Sequence, residues 1–155
     1  HLADRWAEQL PADWARLGEP CPRRYLDAAV TACRELGGDH APVVVHGDLH
    51  HGNVLAGRHS EWLAIDPKGL IGEPAFDLLP FLRNRWTALT TTGDTRAALE
   101  LRLARVVEAA GLDPERARRW SQARAVDDLL WCTENGSSPG VSVQVSTALT
   151  EWLHR

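Results

Sequence analysis

Residues 43–77 read VVVHGDLHHGNVLAGRHSEWLAIDPKGLIGEPAFD, and the fold is decided in this stretch. Val43, Val44 and Val45 form a β-branched run, the composition of a strand. The run breaks into a polar segment from His46 to Asn53. Val54-Leu55-Ala56 is a second apolar run, Gly57 to Ser60 reads as a turn, and Trp62-Leu63-Ala64-Ile65 is a third apolar run. It ends on Asp66-Pro67. The order is strand, polar loop, strand, turn, strand, acid. Polar side chains therefore fall at strand ends, where Asp48, Asn53 and Asp66 can converge. Asn53 follows Asp48 by five residues and Asp66 follows Asp48 by eighteen, so a hairpin that folds back brings Asp66 to face the loop.

Around this stretch the pattern is helical. Residues 2–9 and 11–17 read as two short helices, with Pro11 suited to a first turn. Leu26, Ala29, Val30, Cys33 and Leu36 have helical spacing, and Gly37-Gly38 ends that helix. Ala75 to Trp86 returns to helical spacing, followed by a polar surface loop over 87–94. Residues 95–110 form an amphipathic helix stopped by Gly111. Pro114 starts a helix running to Glu134, with Trp120, Ala123, Leu130 and Trp131 as its buried face and Asp127 on that side. NGSSPG at 135–140 reads as a flexible connection and 141–155 as a last helix. The expected fold class is α+β, mostly helical, with a small β-hairpin region carrying the polar residues.

The 155 residues amount to one domain. A formal charge of −4 gives no nucleic-acid footprint. No apolar run reaches the ~20 residues needed to cross a bilayer. Cys21, Cys33 and Cys132 are widely spaced, which favours reduced, buried thiols and a cytoplasmic home. The chain opens on His1 and contains no methionine, as expected of one domain of a longer protein.

Three oxygen donors at strand ends suit a hard cation such as Mg²⁺. A metal held by Asn53 and Asp66 leaves Asp48 free to orient and deprotonate a hydroxyl, the arrangement phosphoryl transfer requires. A rival reading takes His46, Asp48, His50 and His51 as a zinc or two-metal cluster for hydrolysis. That reading gives no part to Asn53 or to Asp66-Pro67.

His46-Gly47-Asp48-Leu49-His50-His51-Gly52-Asn53 resembles the catalytic loop of the aminoglycoside phosphotransferase family, which shares the protein-kinase fold. Ile65-Asp66-Pro67 looks like that family's counterpart of the kinase D-F-G. The run from Asp66 to Asp77 looks closest to the branch of streptomycin 6-kinases and hydroxyurea phosphotransferases. The match covers about residues 43–86. The resemblance implies a protein-kinase-like C-terminal lobe over 1–155, with the polar loop as its catalytic loop. It implies Asp48 as catalytic base, and Asn53 and Asp66 as ligands of a Mg²⁺ bridging ATP phosphates. His46 would pack the loop and Asp77 would anchor it, against the plainer reading of Asp77 as a helix-start acid. His50 would make a loop hydrogen bond or touch a phosphate. Lys68 would meet a phosphate or stand in solvent, and His51 would be exposed.

A complete enzyme of this kind also needs an N-terminal lobe with a strand lysine, its partner glutamate and a phosphate-covering loop. Lys68 is the only lysine, and the 42 residues before the loop are helical, so that lobe is absent from this chain. On the acceptor side, a polycationic sugar needs carboxylates and aromatic faces. Asp127, Asp128, Trp131 and Glu134 offer them, against the plainer reading of a packed Trp131 and solvated acids. The partners expected are ATP and a small-molecule acceptor, an aminoglycoside such as streptomycin, with no nucleic acid and no membrane. The alternatives to this kinase lobe are a non-catalytic kinase-like binding module and the histidine-based hydrolase. The intact trio Asp48, Asn53, Asp66 speaks against the first.

Overall fold

A computed structural model describes residues 2–38, 41, 43–91, 93–137 and 142–154. The elements in chain order are α1 (Leu2–Arg16), α2 (Arg23–Leu36), β1 (Val43–Val45), β2 (Val54–Ala56), β3 (Trp62–Ala64), β4 (Leu70–Gly72), α3 (Leu78–Arg83), α4 (Trp86–Thr90), α5 (Thr95–Ala110), α6 (Pro114–Asn135) and α7 (Val143–Leu153). Short 3₁₀ turns cover His51–Asn53 and Pro74–Asp77. The described chain is mostly helical, with two small antiparallel sheets.

The sheet pairing differs from a simple hairpin. β1 pairs with β4, Val44 opposite Ile71, while β2 pairs with β3, Leu55 opposite Leu63. The β4 strand was not expected. Gly69, with φ at +63°, turns the chain back so that Leu70 lies opposite Val45. The polar loop thus leaves one ribbon and enters the other, and Asp66 to Gly69 returns across its mouth.

The two short N-terminal helices expected on either side of Leu10 are one helix. Pro11 lies inside α1, where it leaves the Ala7 carbonyl without its helical donor. Leu2, Trp6, Leu10 and Trp14 are all buried on one face, and burying that stripe outweighs the break. The helix expected over 75–86 is divided. A 3₁₀ turn precedes α3, Arg85 takes a left-handed conformation (φ +52°), and α4 occupies part of the expected loop at 87–94. The last helix runs from Val143 to Leu153. Residues 138–141, within the connection read as flexible and at the start of that helix, lie outside the described residues.

The 22-residue α6, roughly 33 Å long, is the axis of the domain. Ala117, Trp120, Ala123, Val126, Leu129 and Leu130 pack into a core with α1, α2, Val45 and the Ala75–Leu78 segment. Ala125 turns the opposite way, into a second core of Leu79, Leu82, Leu89, Leu99, Val145, Leu149 and Leu153. A helix buried on both sides cannot be read as amphipathic. Trp131 was expected on its buried face and is instead 47% exposed. All three cysteines are free and buried, and no helix among the described residues is long and apolar enough to cross a membrane.

Leu129 is fully buried in the first core. Leu129→Ala is expected to cost about 2–5 kcal/mol, read from the denaturant midpoint at unchanged m-value.

Candidate active site

The loop from His46 to Asn53 is held almost wholly by its backbone. Asp77, at the end of the second 3₁₀ turn, accepts from the His46 and Gly47 amides, one on each carboxylate oxygen, both at 2.7 Å. Arg124 of α6 grips the next peptide group and donates through Nη2 to the Gly47 carbonyl at 2.8 Å. Gly47 is required here. Its φ is +84°, and a Cβ would stand 3.0 Å from Leu70 Cδ1 and 3.1 Å from Lys68 Cβ.

Further bonds lace the loop to the returning segment. The Lys68 amide donates to the His46 carbonyl at 2.7 Å, and the Ile65 amide to the Asn53 carbonyl at 2.9 Å. The Asp48 carbonyl accepts from the His50 amide and from Asn53 Nδ2, both at 2.9 Å. His46 Nε2 donates to the Ile65 carbonyl at 2.8 Å, and its Nδ1 accepts from the Asp48 amide at 3.3 Å. Both ring nitrogens are thereby engaged by backbone. His50 Nδ1 accepts from the Gly52 amide at 3.0 Å. The exposed His51 ring lies edge-on to Phe81. Among the described residues no three His, Cys, Asp or Glu side chains converge on a metal position. The histidine cluster therefore offers no zinc cage.

The Asp48 carboxylate stands between the Arg83 guanidinium and the His50 ring. Oδ1 faces Arg83 Nη2 at 3.8 Å and Oδ2 faces His50 Nε2 at 3.8 Å. Both distances exceed a hydrogen bond, so both oxygens remain able to accept. Asp66, at a left-handed φ of +57°, is exposed and pairs with Lys68 Nζ at 2.9 Å. That bond holds the Asp66 carboxyl below the usual carboxylate range, with His46 and His50 adding to it, and lifts Lys68, on which Asp48 also acts. Asp48 and Asp66 thus flank the same two groups, His50 and Lys68. Asn53 is buried, and its Nδ2 is spent on the Asp48 carbonyl, which leaves Oδ1 uncommitted. The Asn53 amide oxygen and the exposed Asp66 carboxylate are both oxygens of the kind a hard cation takes.

The four acceptor-side residues do not form one face. Asp128 is buried and ion-paired with Arg83 Nη1. Glu134 is on the surface, paired with Arg16 of α1 at 2.6 Å. Trp131 is exposed. Asp127 is closely surrounded, with Arg124, Asp13 and Arg5 acting on it. Desolvation first, and then Asp128, raise its carboxyl to about 7. The difference from the expected face is rotational. Successive residues on a helix point about 100° apart, so 127 and 128 look to different neighbours.

Sequence reasoning missed Arg83, Arg102 and Arg124. A signal was present. Arg83 lies four residues after Leu79, and Arg124 four after Trp120, so each continues a buried stripe as a charge. Arg102 of α5 donates to the carbonyls of Leu82 at 2.9 Å and Asn84 at 2.5 Å, closing the C-terminus of α3.

Residues 2–136 match the aminoglycoside/hydroxyurea antibiotic resistance kinase family. The chain belongs to that family. It is 39% identical over 137 residues to a streptomycin 6-kinase of Streptomyces glaucescens, covering 88% of this chain and 45% of that protein. It is 37% identical over 147 residues to a streptomycin 6-kinase of Streptomyces griseus, covering 95% and 48%. With a hydroxyurea phosphotransferase of Kitasatospora aureofaciens the identity is 42% over 127 residues, covering 82% and 35%. This family member spans about half the length, or less, of these curated relatives.

Asp127 supplies a pH test. With its folded carboxyl at about 7 and an unfolded value of about 4, the folded chain holds a proton that the unfolded chain has lost. Stability is expected to fall as pH rises from about 4 to 7 and then to level. Asp127→Asn removes that slope and raises the melting temperature above the parent's at pH 8, as read by calorimetry across pH.

Proposed function

We propose that this chain is the C-terminal lobe of an ATP-dependent small-molecule kinase that transfers the γ-phosphoryl group to a hydroxyl of an aminoglycoside such as streptomycin. The observation that carries this reading is the Asp48 carboxylate. It is held on a braced loop between the Arg83 guanidinium and the His50 ring, with both its oxygens able to accept. Membership of a family whose relatives are streptomycin and hydroxyurea kinases supports it. In this reading the loop of residues 46–53 is the catalytic loop of a kinase-like lobe, and the nucleotide-binding N-terminal lobe lies outside this chain.

Asp48 is the base. It accepts the acceptor's proton at a carboxylate oxygen as the hydroxyl attacks, and it holds that hydroxyl in line. Asn53 and Asp66 would hold Mg²⁺, which would supply charge neutralisation on the ATP phosphates. Lys68 passes from Asp66 to a phosphate oxygen, and His50 borders the phosphate side of Asp48. Asp77 and His46 keep the loop in register. Asp127, Trp131 and Glu134 line the approach of the cationic acceptor, and the enzyme acts in the cytoplasm.

In the full-length protein, Asp48→Asn is expected to leave folding intact and reduce transfer by about 10²–10⁴-fold, measured as ADP release against a panel of aminoglycosides and hydroxyurea. Undiminished turnover removes Asp48 from the mechanism. Residues 1–155 alone are expected to bind Mg-ATP weakly or not at all. Tight binding in a calorimetric titration of this piece contradicts the assignment of nucleotide contacts to a second lobe.

A further inference from the structure

We propose that Arg83 is a positioning residue for Asp48, and that Asp128 acts in the reaction through Arg83 rather than by touching the acceptor. The inference rests on the reading of Asp48 as the base.

Arg83 ends α3 with a side chain only 9% exposed, and the Asp128 side chain is 12% exposed. A guanidinium this deeply buried needs a carboxylate. Asp128 supplies one to Nη1, and the other arm of the fork, Nη2, points at Asp48 Oδ1 across 3.8 Å. The backbone that carries Arg83 is fixed in turn by Arg102, which closes the last carbonyls of α3. The sequence of supports therefore runs from α5 to the end of α3, from Asp128 to the guanidinium, and from the guanidinium to one oxygen of Asp48.

That geometry has a defined consequence. The terminal torsion of an aspartate is broad and roughly two-fold, so a half-exposed carboxylate turns freely unless one oxygen is held. Arg83 holds Oδ1 by charge and leaves Oδ2, on the more exposed His50 side, for the incoming hydroxyl. The rigid two-armed fork suits this task, because it meets two carboxylates at once without a change of rotamer. Asp128, with its carboxylate spent on Arg83, has little left to offer an acceptor ammonium.

The test is steady-state kinetics on the full-length protein with Arg83→Gln, Arg83→Lys, Asp128→Asn and the double variant R83Q/D128N. Arg83→Gln is expected to lower kcat about a hundredfold, with the KM for ATP and for the acceptor within about twofold of the parent. Arg83→Lys restores the charge without the fork and recovers part of the loss. Asp128→Asn lowers kcat about tenfold without raising the acceptor KM, and the double variant is no slower than Arg83→Gln, because both act on one unit. Arg83→Gln strands a buried carboxylate and can fail to fold. The double variant removes both charges and then carries the same readout. A folded Arg83→Gln or double variant with kcat within about threefold of the parent overturns the proposal. So does an Asp128→Asn variant whose acceptor KM rises while kcat holds. Absence of turnover in the unmodified protein counts against the phosphotransfer reading instead. In that event crystal structures of the parent and double variant decide on Arg83: a rotated Asp48 carboxylate supports its role, and an unmoved one overturns it.

Discussion

One residue carries the site. Gly47 is gripped at its amide by Asp77 and at its carbonyl by Arg124, from segments 30 and 77 residues away. Charge-assisted hydrogen bonds are roughly twice as strong as neutral ones, and here two of opposite sense close on the successive peptide groups that flank one Cα. The loop has little apolar surface of its own, so packing cannot fix it. The charges do so instead, and the cost of burying them is part of the structure. Arg124 lies over the Phe76 ring at 4.0 Å, with Nε and Nη1 unpartnered by any hydrogen bond. Burial pushes its guanidinium down, and Asp128, Asp127 and Asp77 act against that.

The same economy governs α6. Its apolar residues fill two cores, yet within two turns it also carries Arg124, Asp127 and Asp128. Arg124 and Asp128, one turn apart, look toward the loop and the end of α3. Asp127 looks toward α1. The helix therefore sets the backbone of the loop through one residue and meets the neighbour of Asp48 through another. Glu73 and Arg116 add a further buried ion pair at 3.1 Å between the start of the second 3₁₀ turn and α6. Hydrophobic contact fills this interior, and the charges buried in it are paired between segments distant in the chain.

Much of this was legible in the chain. The strand–loop–strand order around Asp48 and the helices expected over 23–36, 95–110 and 114–134 follow from short-range pattern. Three features did not. The β1–β4 pairing depends on a contact across 25 or more residues, which periodicity does not encode. The continuity of α1 through Pro11 depends on a buried stripe that overrides local propensity. The split of 127 from 128 and the exposure of Trp131 depend on rotation about α6, and a helix buried on both sides gives no amphipathic signal to set that rotation. Arg83 and Arg124 were visible as charges continuing apolar stripes, but their targets lie in other segments.

The crowding at Gly47 bears on how the gene can vary. Every missense change of that codon adds a Cβ at a left-handed backbone position already hemmed in by Leu70 and Lys68. Even alanine must displace a neighbour by a few tenths of an ångström and strain the residue whose two flanking peptide groups Asp77 and Arg124 grip. Drift at this position is therefore closed to conservative and radical replacements alike, while the exposed turn at Arg58–Ser60, a few residues downstream, is open to both.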